Sequence, residues 1–136
     1  VVEPLPESDP DPEAGARAVM TVIEGAQMLR AVGRGDVVIV CGGTYEEAAL
    51  EDTLAAGAIA ESVWDLFDEC DDASQSARLL FTSAPVEETI LQAKNAQRLL
   101  SLPDLADDVS FSFRHDAHPL LAAMGTQGWV RRLAGS

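Results

Sequence analysis

Residues 36–57 read DVVIVCGGTYEEAALEDTLAAG, and the folding of this stretch decides how the rest is read. Val37, Val38, Ile39 and Val40 form a β-branched run bounded by Asp36 and by Cys41-Gly42-Gly43. Such a run predicts a strand buried on both faces, as inside a parallel sheet. The paired glycines let the backbone turn sharply. Beyond them, residues 46–60 are rich in Ala, Leu and Glu, the composition of a helix. Strand, glycine turn and helix make the α/β unit whose carboxyl end commonly holds the ligand in open sheets. The carboxylates Glu46, Glu47, Glu51 and Asp52 follow the turn directly.

Working outward, residues 1–11 carry three prolines among acidic residues and predict an extended tail or linker. The absence of an initial Met suggests an upstream portion. Residues 12–136 are expected to form a single α/β domain. Asp11, Pro12 and Glu13 look like a helix start, and Ala18, Val19, Val22, Ile23, Ala26 and Leu29 repeat at helical spacing. Gly33 and Gly35 end that helix. The helix from near Glu46 is expected to continue to about Phe67, with a slip in register at Gly57. Asp72 or Ser74 could cap another helix, which Pro85 interrupts. Residues 86–102 predict one more helix, ended by Pro103. Val109-Ser110-Phe111-Ser112-Phe113 alternates strictly, the pattern of an edge strand. Residues 120–124 suggest a short helical turn, and residues 129–133 a cap on the core.

Charge narrows the function. With 23 acidic and 9 basic residues, the net charge is -14. Nucleic acid and anionic membranes are poor partners for such a chain, because phosphate binding needs clustered Lys and Arg. Lys94 is the one lysine. Scarce Lys with abundant Ala, Asp and Glu suits a high-GC or a salt-adapted organism, the acids then forming a solvated shell. The two cysteines, Cys41 and Cys70, are expected to be free thiols in a reducing cytoplasm. No apolar run approaches the roughly 18 residues that span a membrane.

Several groupings could carry chemistry, each with a plainer reading beside it. Cys41-Gly42-Gly43-Thr44 could offer backbone N–H groups and a hydroxyl to an anion, or simply make a tight turn. It is not a P-loop, because the Gly-Lys-Ser/Thr ending is absent. Glu47 and Glu51, four apart, could share a helix face and hold Mg²⁺, or merely solvate it; Asp52 lies about one residue around. Arg114, His115, Asp116 and His118 could bind a transition metal, do acid–base work, or lie on the surface. Cys41 has no base indicated nearby to make it a nucleophile.

Residues 38–44, Val-Ile-Val-Cys-Gly-Gly-Thr, and residues 50–58, Leu-Glu-Asp-Thr-Leu-Ala-Ala-Gly-Ala, resemble the 2-phosphosulfolactate phosphatase family. That family has a strand entering Cys-Ala-Gly-Thr and, after a short gap, Leu-Glu-Asp-Thr-Leu-Cys-Ala-Gly-Ala. Gly42 here replaces its Ala, and Ala55 its second Cys. Asn95-Ala96-Gln97-Arg98-Leu99 resembles its small-polar-Gly-Arg-Arg-Leu helix, residues 107–111 its Asp-hydrophobic strand start, and Asp116 its Asp shortly before a Pro.

The resemblance implies a layered α/β/α fold with a short, mostly parallel sheet, an incomplete version of the family fold. It also implies Mg²⁺-dependent hydrolysis of 2-phosphosulfolactate, a step of coenzyme M synthesis. Glu51 and Asp52 would be catalytic and, with Asp116, hold the metal. Cys41, Gly42, Gly43, Thr44, Arg98 and Arg114 would bind the small anionic phosphate ester. The family's N-terminal Asp-Val-Leu-Arg-Ala-Thr-Thr and Thr-Asn-Gly-Thr segments are not found in this sequence. The alternative expectation is therefore a non-catalytic α/β subunit that forms a homo-oligomer or binds a complementary N-terminal chain.

Overall fold

The structure, a computed structural model, describes residues 17–20, 35–112, 114, 121–124 and 127–133. The chain divides into two compact units, Val1–Gly33 with His115–Ser136, and Arg34–Arg114.

In the first unit, β1 (Arg17–Met20), β2 (Leu121–Met124) and β3 (Val130–Leu133) form a three-stranded sheet in that order. Both pairings are antiparallel. Arg17 stands opposite Met124, and Leu121 opposite Leu133. Ala18 and Val19 thus lie in a strand and not in the expected helix; the rest of that helix lies outside the described residues. Likewise Leu121–Met124 is a strand where a helical turn was expected. Neither RAVM nor LAAM is a strong strand former, so cross-strand pairing overrides local propensity here. Arg131 and Arg132 are exposed on β3, and charged side chains suit a strand at the edge of a sheet. Trp129 and Val130 are exposed too, so this end does not cap a core as expected.

The second unit is helical. Its longest element, α1 (Leu50–Val63), runs on into a 3-10 turn, Trp64–Leu66, so the expected end near Phe67 holds. The start shifts from Glu46 to Leu50 because residues 44–47 reverse the chain. Thr44 N–H donates to the Glu47 carbonyl and Glu47 N–H to the Thr44 carbonyl, both at 3.0 Å. Tyr45 and Glu46 take φ of 51° and 63°, outside helical space.

Helix α2 (Asp72–Ser83) packs along α1. Its cap is Asp71, one residue before the candidates: the carboxylate accepts from Ser74 N–H at 2.7 Å. The helices meet at Gly57, where the anticipated register slip is a close approach. A Cβ on Gly57 would fall 2.2 Å from the Ala77 carbonyl oxygen and 2.8 Å from Phe81 Cβ. Farther along, the Arg78 guanidinium lies 4.4 Å from the centre of the Trp64 ring and pairs with Glu61.

The single helix expected over 86–102 is two, α3 (Val86–Ile90) and α4 (Lys94–Leu100). Gln92 and Ala93 donate to Thr89 and Ile90, three residues back, and Ala93 is extended, which breaks the helix. Next comes α5 (Ala106–Ser112), where the alternation of residues 109–113 had suggested a strand. Val109 is buried in a cluster with Ala93 and Ala96, whereas Phe111 is exposed, so the apolar residues do not share one face as a strand would require.

The strand expected at residues 37–41 is not formed either. These residues have no regular secondary structure, and Val38 and Val40 are 80% and 85% exposed. A parallel sheet is not present among the described residues; helices make up most of the regular structure and the strands pair antiparallel. Among the described residues, no helix is long and apolar enough to cross a membrane. Cys41 and Cys70 are free thiols, and both are exposed.

Candidate active site

The first turn of α1 carries Glu51 and Asp52, and acids are favoured there by the positive end of the helix dipole. Ala49, the residue before the helix, has no side chain to cap the exposed N–H groups. Asp52 reaches back instead. Its Oδ2 accepts from Gly43 N–H at 2.6 Å, tying the glycine loop to the helix end. The Cys41 thiol adds a weak contact to the Asp52 carbonyl at 3.7 Å. Gly43 takes φ of +68°, and a Cβ there would lie 2.7 Å from the Glu47 carbonyl oxygen. Gly42 has room: a Cβ would stand 3.8 Å from Asp52 Oδ2, so the alanine that the resemblance places here would fit.

Helix α4 closes the other side. Leu50, at the start of α1, packs on the cluster of Ala93, Ala96 and Val109, which brings the beginning of α4 to the beginning of α1. Asn95 is half-buried there, and its Nδ2 donates to Thr44 Oγ1 at 2.6 Å and to Glu51 Oε1 at 2.5 Å. Lys94 Nζ pairs with Glu47 Oε2 at 2.9 Å. That hydrogen bond and the ammonium charge hold the Glu47 carboxyl below its usual 4.5. A cation opening a helix opposes the dipole, and Glu47 offsets it.

Of the residues expected in the site, Cys41, Gly42, Gly43, Thr44, Glu51 and Asp52 come together in this way. Glu47 and Glu51 do not share a partner: Glu47 faces Lys94 and Glu51 faces Asn95. Arg98 is exposed on α4 and joins none of these hydrogen bonds. Arg114 lies over the Phe111 ring, 5.5 Å from its centre, and not in this network. His115, Asp116 and His118 lie outside the described residues. No group of three or more His, Cys, Asp or Glu among the described residues could hold a metal. Lys94 and Asn95 were not foreseen as site residues. The faint signals were that Lys94 is the sole lysine and that Asn95 opens a family-like segment.

The result is a helix end bearing two carboxylates, closed by a Gly-Thr loop and braced by an amide, suited to handling a small polar ligand. The chain belongs to the 2-phosphosulpholactate phosphatase family, whose sequence model matches residues 14–126. No curated protein matches the chain.

Proposed function

We propose that the protein hydrolyses 2-phosphosulfolactate, a phosphate ester of a sulfonated three-carbon acid, to sulfolactate and inorganic phosphate. Water attacks phosphorus, the bond from phosphorus to the ester oxygen breaks, and that oxygen leaves with a proton. The observation that carries this reading is the hydrogen bond from Gly43 to Asp52, which draws the family-like Gly-Thr and Leu-Glu-Asp-Thr-Leu segments into one site. In the family this reaction serves coenzyme M synthesis, and the reading places the protein in the cytoplasm.

Magnesium takes oxygen ligands and keeps several waters, so two adjacent carboxylates suit it. Glu51 Oε2 and Asp52 Oδ1 are outside the hydrogen bonds described above and would hold the ion. When bound, Mg²⁺ neutralises charge on the phosphoryl oxygens. Residues 41–44 would meet an anionic end of the substrate through the Thr44 hydroxyl and the Cys41 and Gly42 N–H groups, because the N–H groups of Gly43 and Thr44 are taken by Asp52 and Glu47. Arg98 and Arg114 are proposed as bidentate partners for phosphate or sulfonate. A net charge of -14 repels such a ligand at long range, and salt screens that repulsion. The family match does not favour the non-catalytic alternative.

The test is phosphate release from 2-phosphosulfolactate with Mg²⁺ at low and high salt, against the Glu51→Ala/Asp52→Ala double variant. Turnover that falls by about 10³-fold or more in the variant supports the reading. Equal turnover in both proteins would remove the carboxylates from the mechanism.

A further inference from the structure

We propose that Asn95 is a positioning residue: one amide nitrogen fixes both the Glu51 carboxylate and the direction in which Thr44 donates its hydroxyl proton. The inference rests on the phosphatase reading for its kinetic consequence, and on hydrogen-bond chemistry for its geometry.

Which end of the Asn95 amide faces the pair is settled by Glu51. An ionised carboxylate only accepts, so the atom 2.5 Å from Glu51 Oε1 is the NH₂ nitrogen. Its two N–H groups are then both spent, one on Glu51 and one on Thr44 Oγ1. Because the amide nitrogen cannot accept, Thr44 Oγ1 is the acceptor in that bond. The hydroxyl proton must therefore be donated elsewhere. Thr44 cannot swing away easily, since its N–H and carbonyl are both held by Glu47 at 3.0 Å. The outcome is a hydroxyl with a preset donor direction beside a carboxylate with a preset accepting edge. A phosphoryl oxygen is a partner for the first, and such preorganisation saves reorientation when charge develops. Asn95 is itself set by packing, because Ala93 and Ala96 on either side are buried in the cluster that receives Leu50.

The experiment compares the wild type with Asn95→Asp, which keeps the shape but replaces the donor by an acceptor, and with Asn95→Ala. Thr44→Val, Thr44→Ser, the Asn95→Asp/Thr44→Val pair and an exposed control on α3, Glu88→Gln, complete the set. Circular dichroism and thermal unfolding verify that each variant is folded. In phosphate release from 2-phosphosulfolactate, Asn95→Asp and Asn95→Ala should lower kcat by about 10- to 100-fold, with a smaller change in KM. Thr44→Ser, which keeps the hydroxyl, should lose less than Thr44→Val; Glu88→Gln should match wild type, and the double variant should lose little beyond Asn95→Asp alone, because the two residues act as a unit. Wild-type kinetics in Asn95→Asp, or losses that multiply independently in the pair, would overturn the inference. Binding of inorganic phosphate, followed by NMR at the Gly43 and Thr44 amides, separates the two readings. Phosphate binding without turnover in the wild type, weakened about tenfold or more in Asn95→Asp, would reject the phosphatase reading and uphold the positioning role. Equal phosphate affinity in both, or none in the wild type, would reject the positioning role itself.

Discussion

The two ends of α1 are held by different physics. Its C-terminal half lies against α2 at Gly57, with Ala77 and Phe81 opposite. Here shape complementarity dominates, and the polar addition is Arg78 between Trp64 and Glu61. Its N-terminal end is fastened by hydrogen bonds from outside the helix: Gly43, just before it, to Asp52, and Asn95, far along the chain, to Glu51. A packed end tolerates no added atom but needs no special chemistry. The hydrogen-bonded end carries two half-buried carboxylates, each with one oxygen outside these two bonds. One helix thereby joins a close-packed end to a hydrogen-bonded one.

That contrast can be broken most forcefully at Gly57. Gly57→Ala places a methyl group against the Ala77 backbone and should cost about 3 kcal/mol, read as a lower urea midpoint. A midpoint like the wild type's would mean that the helices are not packed this closely. At the other end, Gly43→Ala should cost about 1–2 kcal/mol, since φ is +68° and the Glu47 carbonyl blocks the methyl. Gly42→Ala should be neutral or stabilising by up to about 1 kcal/mol. If the two adjacent glycines respond alike, the loop is not tied as described.

The smallest effect concerns Asp71, which caps α2 with no part in the site. The Ser74 backbone N–H, with the Ser74 side chain, holds its carboxyl below the usual 3.8. A depressed carboxyl stabilises the fold above its unfolded value, and that contribution is lost as pH falls through the folded one. Asp71→Ala should therefore lower the thermal midpoint at pH 7. The gap to wild type should close as pH drops below about 3.8. A gap of equal size at pH 7 and pH 2.5 would assign the loss to something other than the charged cap.

Helices α1 and α2 were legible because each is long, rich in helix formers and bounded by turn residues. The grouping of residues 41–44 with Glu51 and Asp52 was legible because only a short turn separates them. What was hidden depends on contacts distant in sequence. Arg17–Met20 is a strand only because Leu121–Met124 pairs with it. The stretch at 109–113 has the period of a strand, yet seven residues between turns also fit a helix, and burial of Val109 beside Ala93 and Ala96 decides for it. Asn95 reaches the site across 51 residues from Thr44, which no local pattern announces. The run at 37–40 misled because β-branched composition reports suitability for a sheet, not the presence of a neighbouring strand.

That run also bears on how the protein behaves as a colloid. Molecules carrying a net charge of -14 hold one another apart in dilute buffer, so the bare valines at 38 and 40 seldom touch a neighbour. The screening length shrinks from about 10 Å at 0.1 M salt to about 3 Å at 1 M, and the repulsion goes with it. Concentrated salt thus changes which force governs an encounter between two molecules, from mutual charge to the stickiness of a short aliphatic ribbon.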